Sequence, residues 1–272
     1  MNPLRFGVSI APEAASVEDA RRLAARADEL GLDLLGIQDH PYQRRFLDTF
    51  ALTADLLART ERLTVFPDVA NLPLRGAPMI AKAAASLDVL SGGRFELGLG
   101  AGAFWDAVAA MGGPRRGPGE AIDALEDAIR VIRGFWRGDG DVDGTHYSTR
   151  GLHPGPPPVH DIGIWLGVYK PRGLRLVGAL ADGWVPSLPY APPDSIPELA
   201  KHIDDAASAA GRDPATIRRI YNVMGDVPAE QLAEWAIELR FDTFVHWPQD
   251  DVVRGTERFA QETAPAVRAA VG

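Results

Sequence analysis

Asp39 and His40 stand side by side just after the apolar run "LDLLGI", with Tyr42 two residues further on. A carboxylate beside an imidazole is a pair that can hold or move a proton near neutral pH. Gly98, Gly100 and Gly102 alternate at the end of "RFELGLGAG", and Gly98 to Ala103 fits the G-x-G-x-x-A form that cradles a dinucleotide pyrophosphate. Lys170 and Arg172 flank Pro171 at an expected helix start, where free backbone N–H groups and the positive dipole end favour an anion. Each group has a plainer reading. A lone loop histidine is often structural, alternating glycines also end strands, and a basic turn can simply be solvated.

Several chemistries lack their residues. The 272 residues contain no cysteine, so disulfides, thiolate nucleophiles and cysteine-ligated metals are excluded. The six histidines are scattered, and the first strand ends "SIAP" without paired histidines, so no metal site is expected. G-x-S-x-G and G-x-x-x-x-G-K-[ST] are both absent. The formal net charge of −9 argues against a nucleic-acid partner. The first residues lack a basic stretch followed by an apolar run, and no run of about 18 apolar residues occurs, so no membrane association and a cytoplasmic location are expected.

The elements that must position these residues alternate from end to end. Strand-like runs are "RFGVSI", "LDLLGI", "LTVFPDVA", "RFELGLG", "IGIWLGV", "DGWVPS", "TIRRIYNVM" and "DTFVHW". Between them lie helical patterns. One starts at Ser16 and stops at Gly31, one opens at Asp48, and one carries Pro78 in its first turn and stops at Gly92 or Gly93. Later helices are expected at 119–136, in "PRGLRLVGALA", at 193–210, at 228–239 and from about Asp251. Residues 138–160, rich in Gly, Pro and Asp, read as an insertion with a short hairpin. Eight strands alternating with eight helices predict a closed (β/α)8 barrel (TIM barrel) filling 1–272 as a single domain, with a doubly wound open sheet as the rival.

In such a barrel, functional residues gather where strands end. That places Gln38 to Tyr42, Asp68 to Asn71, Gly100 to Trp105, Gly167 to Lys170, Trp184 to Ser187, Asn222 to Gly225 and His246–Trp247 at one rim. Asp226, Asp250 and Asp251 lie in the loops after the last two strands and would repel a phosphate there. Three βα units precede "GLGAG", whereas a dinucleotide loop belongs in the first, so these glycines read as a strand end where backbone and ligand come close.

The segments "LGLDLLGIQDH", "DVANLPLRGAPMIAKAAASLDVLSGGRFELGLGAG" and "IWLGVYKPRGLRLVGALADGW" occur in that order. With them the chain resembles the luciferase-like family of flavin- and deazaflavin-dependent oxidoreductases. The C-terminal third matches only in its barrel rhythm. The resemblance implies a barrel that binds a flavin-like ring in its mouth, an insertion covering that mouth, and often a homodimer. The Asp-His pair and an Asn after the third strand are similar to the branch that uses coenzyme F420, with FMN as the alternative cofactor. On that likeness His40 is the catalytic acid or base and Asp39 its neighbour on the ring. A cis non-prolyl bulge backing the ring would fall at Asp68–Val69. Further cofactor-binding candidates are Asn71, Gly100, Ala101, Gly102, Gly167, Val168, Tyr169 and Lys170. Tyr42, Phe104, Trp105, Trp184 and His246 are candidates for a substrate pocket. Members that oxidise sugar phosphates often carry a glutamate where this chain has Ala103, and their late basic residues have no clear counterpart here. The implied reaction is hydride transfer between a deazaflavin and a small organic substrate. An FMN-dependent monooxygenase and a non-catalytic flavin-binding protein are the alternatives.

Overall fold

The computed structural model describes residues 2–249 and 251–272. Nine parallel strand segments form one sheet: β1 (Arg5–Ile10), β2 (Leu34–Ile37), β3 (Thr64–Pro67), β4 (Ala70–Asn71), β5 (Leu97–Gly100), β6 (Ile164–Leu166), β7 (Gly183–Trp184), β8 (Arg218–Met224) and β9 (Thr243–Trp247). Their order is β3-β2-β1-β9-β8-β7-β6-β5-β4. Val65 pairs with Phe95 across the remaining gap, donating its N–H to Arg94 O at 3.0 Å, and so brings the sheet round into a nearly closed barrel. This is the expected (β/α)8 architecture, with one difference. The third strand is broken at the cis peptide Asp68–Val69, so its first half pairs with β2 and its second with β5.

Alternation along the strands separates two cores. Leu34, Phe66, Trp165, Val185, Ile220 and Val245 point inward, fill the barrel and touch Val69. Their neighbours point outward into a much larger layer against the helices.

The helices start and stop near the expected residues. α1 spans Val17–Glu29 and α2 Thr49–Leu57, the latter capped by Asp48, whose carboxylate accepts from Ala51 N at 2.9 Å. α3 (Ala77–Ser91) ends at Gly92, which is left-handed with φ 69°. A short α4 (Trp105–Ala110), not foreseen from the sequence, precedes α5 (Pro118–Arg137). α6 (Pro171–Leu180), α7 (Ile196–Ala209) and α8 (Ala229–Glu238) follow. The last helix runs from α9 (Val252–Arg258) through a π turn at Phe259–Thr263 into α10 (Ala264–Val271). Asp250, one of the three carboxylates expected to repel phosphate, lies outside the described residues. Among those residues no helix is long and apolar enough to cross a membrane.

The stretch 138–160 contains the expected antiparallel pairing, between Val142 and Thr149. It packs along the flanks of α3 and α5: Lys82 donates to Gly155 O at 2.5 Å, and His146 N donates to Asp127 at 2.7 Å. Tyr147 reaches Leu72 O at 3.3 Å, but no residue of the stretch lines the cavity at the mouth. The segment that overhangs the mouth is instead the one carrying α4, through Gly102, Ala103, Trp105, Pro118 and Gly119.

Candidate active site

β2 delivers Asp39 and His40 to the rim, and they turn to different tasks. Asp39 is buried. One carboxylate oxygen accepts from Asn71 N at 2.8 Å and Arg75 Nε at 3.2 Å, the other from Arg75 Nη2 at 3.1 Å. Asp39 therefore ties the β2 end to the β4 end. Arg75 also reaches Asp48 at 2.6 Å and lies over the Phe50 ring at 4.7 Å. No sequence motif marks Arg75, because its partner lies 36 positions earlier.

His40 is half-buried and lines the cavity. Its Nδ1 lies 2.6 Å from Tyr42 Oη, and the Phe104 ring meets it edge-on with centroids 5.6 Å apart. Burial pulls the imidazole below its usual range, outweighing the opposite pull of Asp39. Burial, with Asp39 adding to it, pushes the Tyr42 phenol up to about 12.

The break in the third strand builds the floor. Val69 packs against Gly98, Gly100 and Gly167. A Cβ on Gly100 would come within 2.8 Å of Val69 Cγ2, and one on Gly98 within 2.1 Å of Pro67 O. A Cβ on Gly102, where φ is +106°, would meet Pro73 at 2.4 Å. The alternating glycines are thus required first by the protein's own bulge, which in turn presents Val69 to the cavity. Asp68 points the other way. Its carboxyl lies inside the barrel, accepting from Ser9 Oγ at 3.0 Å and Asn222 Nδ2 at 3.0 Å. Burial pushes it up to about 6 against the pull of those hydrogen bonds. Asp68 is a cofactor-binding candidate from sequence, but only Val69 of the pair borders the cavity; the Asp68 carboxyl lies beneath the bulge. Asn71 follows on β4, lines the cavity, and keeps a buried Oδ1 with no hydrogen-bond partner among the described residues.

The opposite wall is the end of β6. Gly167, Val168, Tyr169 and Lys170 line it, and α6 begins at Pro171. The N-terminus of α5, at Pro118 and Gly119, borders the same space. Arg172 is spent on Asp123 and Gly119 O, whereas Lys170 is exposed. Tyr169 Oη accepts from Ser187 N at 3.2 Å.

The cavity, open to solvent at the rim, measures about 490 Å³. Of the residues singled out from sequence, Asp39, His40, Tyr42, Val69, Asn71, Gly100, Ala101, Gly102, Trp105, Gly167, Val168, Tyr169 and Lys170 border it. Phe104 stands exposed at its edge, against His40 and Tyr42. Trp184 and His246 do not belong to it. Trp184 points outward, fully buried, donates to Val168 O at 2.8 Å and stacks near Phe241. His246 also points outward and stacks on Phe259 with centroids 4.9 Å apart. Both sit at strand ends, but on the wrong parity of the alternation; their neighbours Val185 and Val245 face the interior.

A family model described as luciferase-like monooxygenase matches residues 3–245. The chain belongs to the luciferase-like monooxygenase family. Within that family it is 28% identical over 247 residues to the F420-dependent glucose-6-phosphate dehydrogenase of Microbacterium testaceum, covering 86% of this chain and 73% of that protein. It is 30% identical over 221 residues to the 5,10-methylenetetrahydromethanopterin reductase of Methanolobus tindarius, covering 79% of this chain and 63% of that protein. This luciferase-like chain therefore spans well short of the full length of both relatives. In fold it is similar to an F420-dependent secondary alcohol dehydrogenase solved with an F420–acetone adduct, at a TM-score of 0.84 and 19% identity over 98% of this chain and 99% of that one.

Proposed function

We propose that this chain is an F420-dependent oxidoreductase that transfers a hydride between the deazaflavin and a small organic carbonyl, imine or activated alkene, or in the reverse sense. The observation that carries the reading is Asn71: a buried, unpartnered carbonyl oxygen on the wall of the same cavity as His40, with Val69 as its floor. An unpartnered buried acceptor is costly, and an N–H of a flavin-like ring is a partner of the right chemistry. The exposed Lys170 and the N-termini of α5 and α6 suit the phosphate-bearing chain of such a cofactor. When bound, the deazaflavin supplies or accepts the hydride. The chain's own part is then to hold the ring on Val69 and Asn71, to exclude water under the α4 segment, and to give or take the accompanying proton at His40.

The name of the Microbacterium testaceum relative, an F420-dependent dehydrogenase, supports this cofactor class. A sugar phosphate is a poor candidate substrate, because Ala103 lines the cavity where sugar-phosphate members often carry a glutamate. Titration of the purified protein with F420 and, separately, with FMN tests the reading. Binding of F420 alone, followed by its reduction or oxidation with one member of a panel of alcohols, carbonyls, imines and enones, is the expected result. Tight FMN binding without F420 binding would overturn the F420 reading in favour of the FMN-dependent alternative. F420 binding with no turnover across the panel would leave a non-catalytic binder.

A further inference from the structure

We propose that Tyr42 is a positioning residue for His40: its hydroxyl donates to Nδ1, which holds the imidazole neutral with its single proton on Nε2. The geometry carries this. Tyr42 Oη and His40 Nδ1 are 2.6 Å apart, inside the range of a strong O–H hydrogen bond. A phenol is the better donor and an imidazole nitrogen the better acceptor, and a neutral imidazole has one of each. Among the described residues no other group hydrogen-bonds to the ring. Asp39, the adjacent carboxylate, already accepts on both oxygens from Arg75 and Asn71. Phe104 meets His40 edge-on at 5.6 Å between centroids and lies against Tyr42 at a 56° tilt, 5.9 Å away.

The charged groups around this pair are few. Asp39 sits beside it, Arg75 neutralises Asp39, and Asp48 at the start of α2 binds the same Arg75. Lys170 lies across the cavity, and Arg172 is paired with Asp123. Burial disfavours the imidazolium and keeps the phenol protonated, which fits a neutral pair at pH 7.

The use of this arrangement rests on the oxidoreductase reading above. A neutral imidazole cannot lose its only N–H proton without replacement. As a substrate oxygen takes the Nε2 proton, Nδ1 takes the Tyr42 hydroxyl proton and the Tyr42 oxygen takes one from water. The electron pair arrives with the hydride from the reduced deazaflavin. Oxidation runs the same transfers in reverse. Without the Tyr42 hydroxyl only the imidazolium can donate, and its population falls tenfold per pH unit above its pKa.

Nitrogen-15 NMR of the cofactor-free protein, with His40 assigned by a His40→Gln variant, tests the tautomer directly. The expected result is a proton on Nε2 throughout pH 7 to 9. In Tyr42→Phe the two tautomers should mix and the titration midpoint should rise by about one pH unit. A proton on Nδ1 in the wild type, or an unchanged tautomer and midpoint in Tyr42→Phe, would overturn the proposal. On a substrate returned by the panel above, wild-type reduction should be flat between pH 7 and 9 and that of Tyr42→Phe should fall about tenfold per unit; superimposable profiles would also overturn it. The NMR outcome needs no cofactor, so failure of F420 to bind leaves it intact.

Discussion

At the scale of single residues, the rim divides its polar groups between building and acting. The buried Asp39 and the half-buried Arg75 form a pair that joins two strand ends, and their loss would act through the shape of the mouth. His40 lines the cavity, and among the described residues its Nε2 has no protein partner. Replacing His40 with Ala should lower turnover about 100-fold while leaving cofactor affinity within about threefold. Steady-state kinetics beside a fluorescence titration separate the two, and near-normal turnover would remove His40 from the chemistry.

At the scale of elements, the interrupted third strand organises the site. The bulge between β3 and β4 turns Asp68 down into the barrel and Val69 up to the cavity, and the glycines of β5 and Gly167 make room for it. Gly100→Ala would press a methyl group onto Val69 Cγ2 at 2.8 Å. Crowding of this kind costs about 1–3 kcal/mol. The expected outcome is a lower melting temperature together with roughly tenfold weaker cofactor binding, because the displaced Val69 is the floor. Unchanged affinity in a folded Gly100→Ala protein would show that the floor does not set binding.

At the scale of the whole molecule, stability depends on buried titratable groups that do not line the cavity, His246 and Asp68. His246 is buried in the outer layer, and burial pulls it down to about 4. The unfolded chain takes up that proton near pH 6.5 and the native protein does not. Its contribution is therefore complete above about pH 6.5 and is lost as pH falls towards 4, by up to about 3 kcal/mol. Asp68, pushed up to about 6, acts in the opposite sense over much of this window. Comparison of wild type with His246→Phe isolates the histidine. Urea unfolding at pH 7, 5.5 and 4.5 should show a smaller loss on acidification in the variant, and parallel losses would remove the assignment.

The sequence by itself determined the elements, because their signals are local. Asp48 caps a helix, Gly92 ends one, and strand-like runs alternate with helical stripes, which suffices to predict a parallel barrel and to bring Asp39, His40, Asn71 and Lys170 to one rim. Three things were decided only by the tertiary structure. The parity of each strand was one: Trp184 and His246 lie at strand ends yet face the helices, and a one-residue step on a strand reverses the face. A second was the partner of each polar group: Asp68 meets Ser9 and Asn222 across the barrel, 59 and 154 residues away, where no spacing rule reaches. The third was the reason for the glycines. Their pattern reads as room for a ligand, but the atoms nearest to them belong to Pro67, Val69 and Pro73, which come close only once the third strand bulges.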